Sequence, residues 1–138
     1  MDATIADFAL LLLRLWLGLN LMLAHGVPKL ADPQAFLASE GVLRFPLSTA
    51  AGWFAIAAEL AGGVCLAIGL RTRLAAAALL LTMLAGALVV HAGDPWTGDK
   101  ELQLTFAVIA LLFAALGGGP LSLDARLARR RRRGPSPW

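Results

Sequence analysis

Charge is scarce in this chain of 138 residues: Asp, Glu, Lys and Arg make up 15%, against 59% hydrophobic residues. With a mean hydropathy of +0.74, it has too little polar surface to cover a soluble domain of its size. Basic residues are missing from the leader, Met1 to Asp7, which carries Asp2 and Asp7 but no Lys or Arg. A secretory signal peptide needs a basic leader, so Ala24-His25-Gly26 is a poor cleavage site and the first apolar stretch reads as a retained helix. Cysteine is limited to Cys65, which excludes an internal disulfide and a CxxC redox pair. No flavin, dinucleotide or iron–sulfur motif is present, which argues against an electron-transfer enzyme working alone. The pI near 10.0 does not indicate nucleic acid, because the basic residues are not interleaved with aromatic stacking groups.

What is present is four long apolar stretches, Phe8 to Gly26, Leu47 to Leu70, Leu74 to Val90 and Leu102 to Gly119. Each is near the ~20 residues that a ~30 Å hydrocarbon core requires at 1.5 Å rise per residue. Runs such as Leu10 to Leu13 and Leu74 to Leu81 are apolar all round, unlike the amphipathic helices of a soluble core. Membrane strands would be shorter and alternating. The expected fold is all-α, a transmembrane four-helix bundle with helices at about 6–28, 47–70, 73–92 and 100–118. A single domain over 1–128 precedes a basic, disordered tail over 129–138.

Orientation follows from the cations. With both termini on one side, that side holds Arg71, Arg73, Arg126 and Arg129, Arg130, Arg131, Arg132 and Arg133, eight against Lys29, Arg44 and Lys100. The termini are therefore expected in the cytoplasm of a bacterial-type inner membrane. The run Arg129 to Arg133 reads as a membrane-surface anchor, attracted to an anionic leaflet by roughly 1 kcal/mol per Arg. On the other side, Asp32-Pro33 is a helix start and Gly41 a plausible stop, giving a short outer interfacial helix with Phe36 and Leu37 turned to lipid. Gly93 to Asp99 has turn chemistry, with Trp96 suited to the headgroup belt and Asp99 to capping the fourth helix. Gly117-Gly118-Gly119-Pro120 ends that helix, and Ser122 can cap a brief basic one. Helix 1 ends Leu23-Ala24-His25-Gly26 and helix 3 ends Val90-His91-Ala92-Gly93, a faint echo of the kind a duplicated helical hairpin would leave.

An ordered set of residues resembles the DoxX family of small four-helix membrane proteins. It comprises Leu13-Arg14-Leu15 with Gly18, His25-Gly26 with Lys29-Leu30, Glu59 with Gly62-Gly63, Gly69 to Arg73, Met83, His91, Glu101 and Gly117 to Asp124, spanning about Leu11 to Leu127. The poly-arginine tail and the Pro-Ser-Pro-Trp end are not part of the pattern. The resemblance implies, for some members, a membrane subunit of a thiosulfate:quinone oxidoreductase or a place in redox-stress complexes.

Glu59 lies near the middle of its stretch, where a lone charge costs roughly 2.5 to 3.5 kcal/mol on the insertion scale. Arg14, Gly18, Met22, His25 and Lys29 step by four, four, three and four residues along helix 1, which makes one polar seam. Placed by the midpoints of their stretches, Arg14 and Glu59 differ by only roughly 4.5 Å in depth, and either an ion pair between them or protonation of Glu59 is expected. Two readings stay open: a structural pair fixing register, or a proton and quinone site at Glu59 with Arg14 stabilising negative charge. His25 and His91 suit helix ends, or meet Glu101 in an outer mouth, or ligate a haem or copper ion, although two histidines without an evident second-shell acceptor argue weakly for a metal. Trp16 and Trp53 read as packing and interface residues. The expected function is the membrane subunit of a quinone-linked redox system, with no intrinsic cofactor, quinone as ligand, and electrons from a protein partner. The alternative is a non-enzymatic small-solute transporter or assembly factor. The lipid bilayer is a partner, nucleic acid is not, and a homo-oligomer is left open.

Overall fold

The computed structural model describes residues 4–132. Met1 to Ala3, Arg133 and the segment Gly134 to Trp138 lie outside the described residues. Among the described residues there are seven helices and no strand: α1 (Ile5–Ala31), α2 (Pro33–Leu37), α3 (Glu40–Leu43), α4 (Ser48–Ile68), α5 (Thr72–Val90), α6 (Asp99–Leu116) and α7 (Leu123–Arg132). Three of them, α1, α4 and α5, are long and apolar enough to cross a membrane. The fourth expected span, α6, has 18 residues and opens with Asp99, Lys100 and Glu101.

α1 starts in a capping box, where Thr4 N donates to Asp7 Oδ2 at 2.9 Å and Asp7 N to Thr4 Oγ1 at 3.3 Å. Its seam lies against α4. A Cβ at Gly18 would stand 2.5 Å from Gly63 O and 2.8 Å from Ala67 N, so glycine lets the two backbones touch. α5 and α6 pack along their lengths, and Leu17, Leu21, Leu66, Leu79, Met83, Phe106 and Phe113 fill the space between the four long helices. Leu12, Trp16, Leu23, Leu74, Leu81, Leu88, Val108 and Leu111 remain exposed around the outside. An apolar belt of this extent needs lipid rather than water against it.

The turn between α4 and α5 closes in a Schellman motif, with Gly69 at φ 74°, Leu70 N on Cys65 O at 2.8 Å and Gly69 N on Leu66 O at 3.1 Å. Arg71 follows at φ 46° and offers α5 no side-chain cap of its own. Asp124 supplies that cap from the start of α7: its carboxylate accepts from Arg71 N at 2.7 Å, Thr72 N at 2.8 Å and Thr72 Oγ1 at 2.9 Å. Ser122 Oγ accepts from Ala125 N at 3.2 Å and caps α7, as its position suggested.

Several local expectations are corrected. Asp32 does cap α2, accepting from Ala35 N at 3.0 Å, but Gly41 lies inside α3 rather than ending a helix. Phe36 and Leu37 do not face lipid: Lys29 Nζ stands 4.9 Å from the centre of the Phe36 ring, and Leu37 is the side chain that a Cβ on Gly52 of α4 would strike. A five-residue helix buries more apolar area folded onto the bundle end than lying alone on a bilayer. The cap position of α6 is Gly98, with Asp99 as the first helical residue and no side-chain cap bond. The expected tail over 129–138 is helical at its start, because α7 continues through Arg132, and its remainder lies outside the described residues. Arginine is a good helix former, and α7 is already nucleated by its docked first turn.

Candidate functional site

Three of the long helices widen into π-helical turns, Leu21–Gly26 in α1, Ala58–Gly62 in α4 and Gly86–Val90 in α5. Residues of all three turns line one cavity of about 560 Å³, roofed by Phe36, Ser39, Val42 and Phe45. Each π turn inserts one residue into the helical ladder and re-aims the side chains around it. The first copy of the faint echo, Leu23 to Gly26, lies within the π turn of α1, whereas in α5 the turn ends at Val90 and His91 follows it.

Glu59 is 1% exposed and sits in the wall of the cavity. Its partner is Lys29, whose Nζ donates to Oε1 at 2.5 Å, and not Arg14 as the midpoint argument predicted. The other carboxylate oxygen, Oε2, is buried and has no hydrogen-bond partner among the described residues. Lys29 is 24% exposed and is also steadied by the Phe36 ring. His25 lines the cavity and meets Phe106 edge to face, with ring centres 5.9 Å apart. His91 lines it too, and its Nδ1 is 2.6 Å from Asp94 Oδ2. Glu101 does not join them: it is exposed and outside the cavity wall, where Asp99 and Gln103 stand instead. Among the described residues, no three His, Cys, Asp or Glu side chains converge to hold a metal ion.

Arg14 belongs to the other end of the bundle. Its guanidinium donates to Gly118 O at 2.6 Å, Ala67 O at 3.2 Å and Leu121 O at 3.3 Å, stitching α1 to α4 and to the turn after α6. Because Gly26 lies against Leu60, Glu59 is level with a point about twelve residues along α1 from Arg14, roughly 18 Å at 1.5 Å per residue. Midpoints misled because the two helices are staggered: Gly18, near the middle of its apolar run, meets Gly63 and Ala67 near the far end of α4. Burial pushes the Asp124 carboxyl up, but the bonds from Thr72 and Arg71 and the charge of Arg14 outweigh it and hold the group below its ordinary value. Among the basic-run residues, Arg129 donates to Pro120 O at 3.4 Å, Arg130 and Arg131 are exposed, Arg132 ends α7, and Arg133 is outside the described residues.

The cavity thus joins apolar walls to a cation, a carboxylate with one free oxygen and two imidazoles. Its volume falls in the range of small-molecule sites, ~300 to 1,000 Å³. A ligand with an apolar body and a polar end that brings a hydrogen-bond donor would partner Glu59 Oε2. Sequence reasoning named Glu59, Lys29, His25 and His91 but missed the roof, Asp99 and Gln103. No sequence signal pointed to Gln103, because only the packed structure shows that a Cβ on Gly86 would run into its side chain.

The DoxX family model matches residues 9–92, which takes in His25, Lys29, Glu59 and His91, whereas Glu101 and the Gly117 to Asp124 segment fall beyond the match. No curated protein and no solved structure gives a significant match.

Proposed function

This multi-pass membrane protein belongs to the DoxX family, and from that premise we propose that it is the membrane subunit of a quinone-linked redox system, with the Lys29–Glu59 cavity as its quinone site. The observation that carries the reading is the buried, unpartnered Oε2 of Glu59 in the wall of a largely apolar cavity. A buried acceptor left without a donor is costly, so the site asks for a ligand that brings one.

Reduction of a quinone takes two electrons, which come from the redox centre of a protein partner, and two protons, drawn from water through the end of the cavity marked by His25 and His91. Lys29 donates to the ring oxygen on which negative charge develops, and Glu59 Oε2 accepts from the hydroxyl once that oxygen is protonated. The walls and the Phe36 roof keep water from Glu59, while Lys29 stays partly open to it. Arg14, bonded to three backbone carbonyls at the far end, supports retention of a ligand over passage of a solute. The frame for this chemistry is a bundle of four spans, α6 included, with both termini cytoplasmic and α2 and α3 at the outer surface. Reporter fusions after Gly41, Thr72 and Asp94 should label out, in and out.

The test is titration of a short-tailed quinone and its quinol into the protein in lipid nanodiscs, read by tryptophan quenching and equilibrium dialysis. One molecule per chain is expected, and Glu59→Gln should weaken the quinol, whose hydroxyl donates to Oε2, about tenfold, the equivalent of about 1.4 kcal/mol for one charged hydrogen bond, and the quinone much less. Absence of saturable binding of either form would refute the reading. Solute flux in quinone-free vesicles, without quinone binding, would establish the transporter alternative in its place.

A further inference from the structure

We propose a second binding site, at the opposite end of the bundle, for the phosphate of an anionic lipid headgroup; it does not depend on the quinone reading. A hollow of about 500 Å³ is bounded by Arg73 at the start of α5, Arg129 on α7, the glycine turn Gly117 to Gly119 and Leu116 at the end of α6. The two arginines flank that turn. Arg73 Nε lies 3.5 Å from where a Cβ of Gly117 would stand, and Arg129 Nη2 reaches Pro120 O at 3.4 Å.

Neither arginine has a carboxylate partner among the described residues. Asp124 is the acid in the same hollow, and its oxygens are already occupied by Arg71 N, Thr72 N and Thr72 Oγ1. The turn adds backbone donors. Gly117 and Gly119 take φ 82° and 74°, and the N–H groups of Gly118 and Gly119 bond to nothing among the described residues. Two guanidinium groups beside free amides of a left-handed glycine turn form the donor set that phosphate oxygens require.

Position and rigidity argue for a lipid. The hollow stands where α4 turns into α5 and α6 ends, at the termini of membrane-length helices, and Leu116 in its wall is 61% exposed. A phospholipid can fill the basic end with its phosphate and cover Leu116 with an acyl chain, which free phosphate cannot do. The helix that carries Arg129 is anchored, because Asp124 N donates to Gly69 O at 2.9 Å and clamps the first turn of α7 onto the bundle. Arg130 and Arg131 share its charge but not its place in the hollow.

The experiment compares two charge-matched variants of the full chain, R73Q/R129Q and R130Q/R131Q, for phosphatidylglycerol retained by the detergent-purified protein in native mass spectrometry. In ~0.3 M salt, where diffuse attraction is screened, R73Q/R129Q should retain about fivefold less lipid and R130Q/R131Q less than about twofold less. Thermal melting of both variants, expected to be unchanged, separates loss of the site from loss of fold. Equal losses in the two variants would reduce the effect to charge alone and overturn the site, as would retention in both. Displacement of the lipid by millimolar inorganic phosphate would overturn the lipid assignment.

Discussion

Removing Lys29 should cost far more than its position near the end of a helix suggests. In Lys29→Met the Glu59 side chain, 1% exposed, keeps both oxygens in the bundle with no donor at either. Breaking one side of a buried pair costs roughly 3 to 5 kcal/mol, and about 3 kcal/mol is expected here because one oxygen is already unpartnered. Glu59→Gln should cost only about 1 kcal/mol, since the amide oxygen still accepts from Lys29 and the lysine, 24% exposed, can turn to water. In Lys29→Met/Glu59→Gln no charge is stranded, so about 2 kcal/mol of the summed loss should return as coupling. The contrasting cycle pairs Arg14→Gln with Glu59→Gln. Those sites are roughly 18 Å apart along the bundle, and their effects should add within about 0.5 kcal/mol. Equilibrium unfolding in mild detergent, followed by tryptophan emission, measures both cycles. Coupling above about 1 kcal/mol between positions 14 and 59, or none between 29 and 59, would refute the assignment of partners.

Gly18→Ala would push a methyl to 2.5 Å from Gly63 O and 2.8 Å from Ala67 N, backbone atoms that cannot yield, so unfolding should show a loss of about 1 to 3 kcal/mol. Gly93→Ala, where no atom lies within 4 Å, serves as the neutral control. Gly86→Ala would instead displace the flexible end of Gln103 into the cavity, and quinone affinity should fall about fivefold with little change in melting temperature. Asp124 holds its proton less tightly when folded, so its contribution is complete above the ordinary carboxylate value and is lost as pH falls through the lower, folded value. Hydrogen exchange of α7 should accelerate over that acid range in the parent chain, while Asp124→Asn should exchange faster already at neutral pH and show no such step.

Much of the fold is legible in the sequence because the underlying physics is local. The length of Leu47 to Leu70 and its hydropathy mark a membrane-length helix without knowledge of any neighbour, since every backbone group in hydrocarbon must be satisfied within its own segment. The same holds for the Asp32 and Ser122 caps, for the glycine stop at Gly117 and for the seam of α1, which depends only on 3.6-residue periodicity. The ordered motifs also suffice to place the chain in its family. Partnership is a different quantity. Whether Glu59 meets Arg14 or Lys29 depends on the stagger between α1 and α4, and that stagger is set where Gly18, near the middle of its stretch, touches Gly63 and Ala67, well past the middle of the stretch on α4. The π turns belong to the same class. Nothing within Leu21–Gly26, Ala58–Gly62 or Gly86–Val90 separates them from ordinary helix in sequence, yet packing aligns the three around one cavity. Asp124 makes the point at shortest range, because it caps a helix that begins 52 residues earlier in the chain, a contact that the packed structure creates and local periodicity has no means to encode.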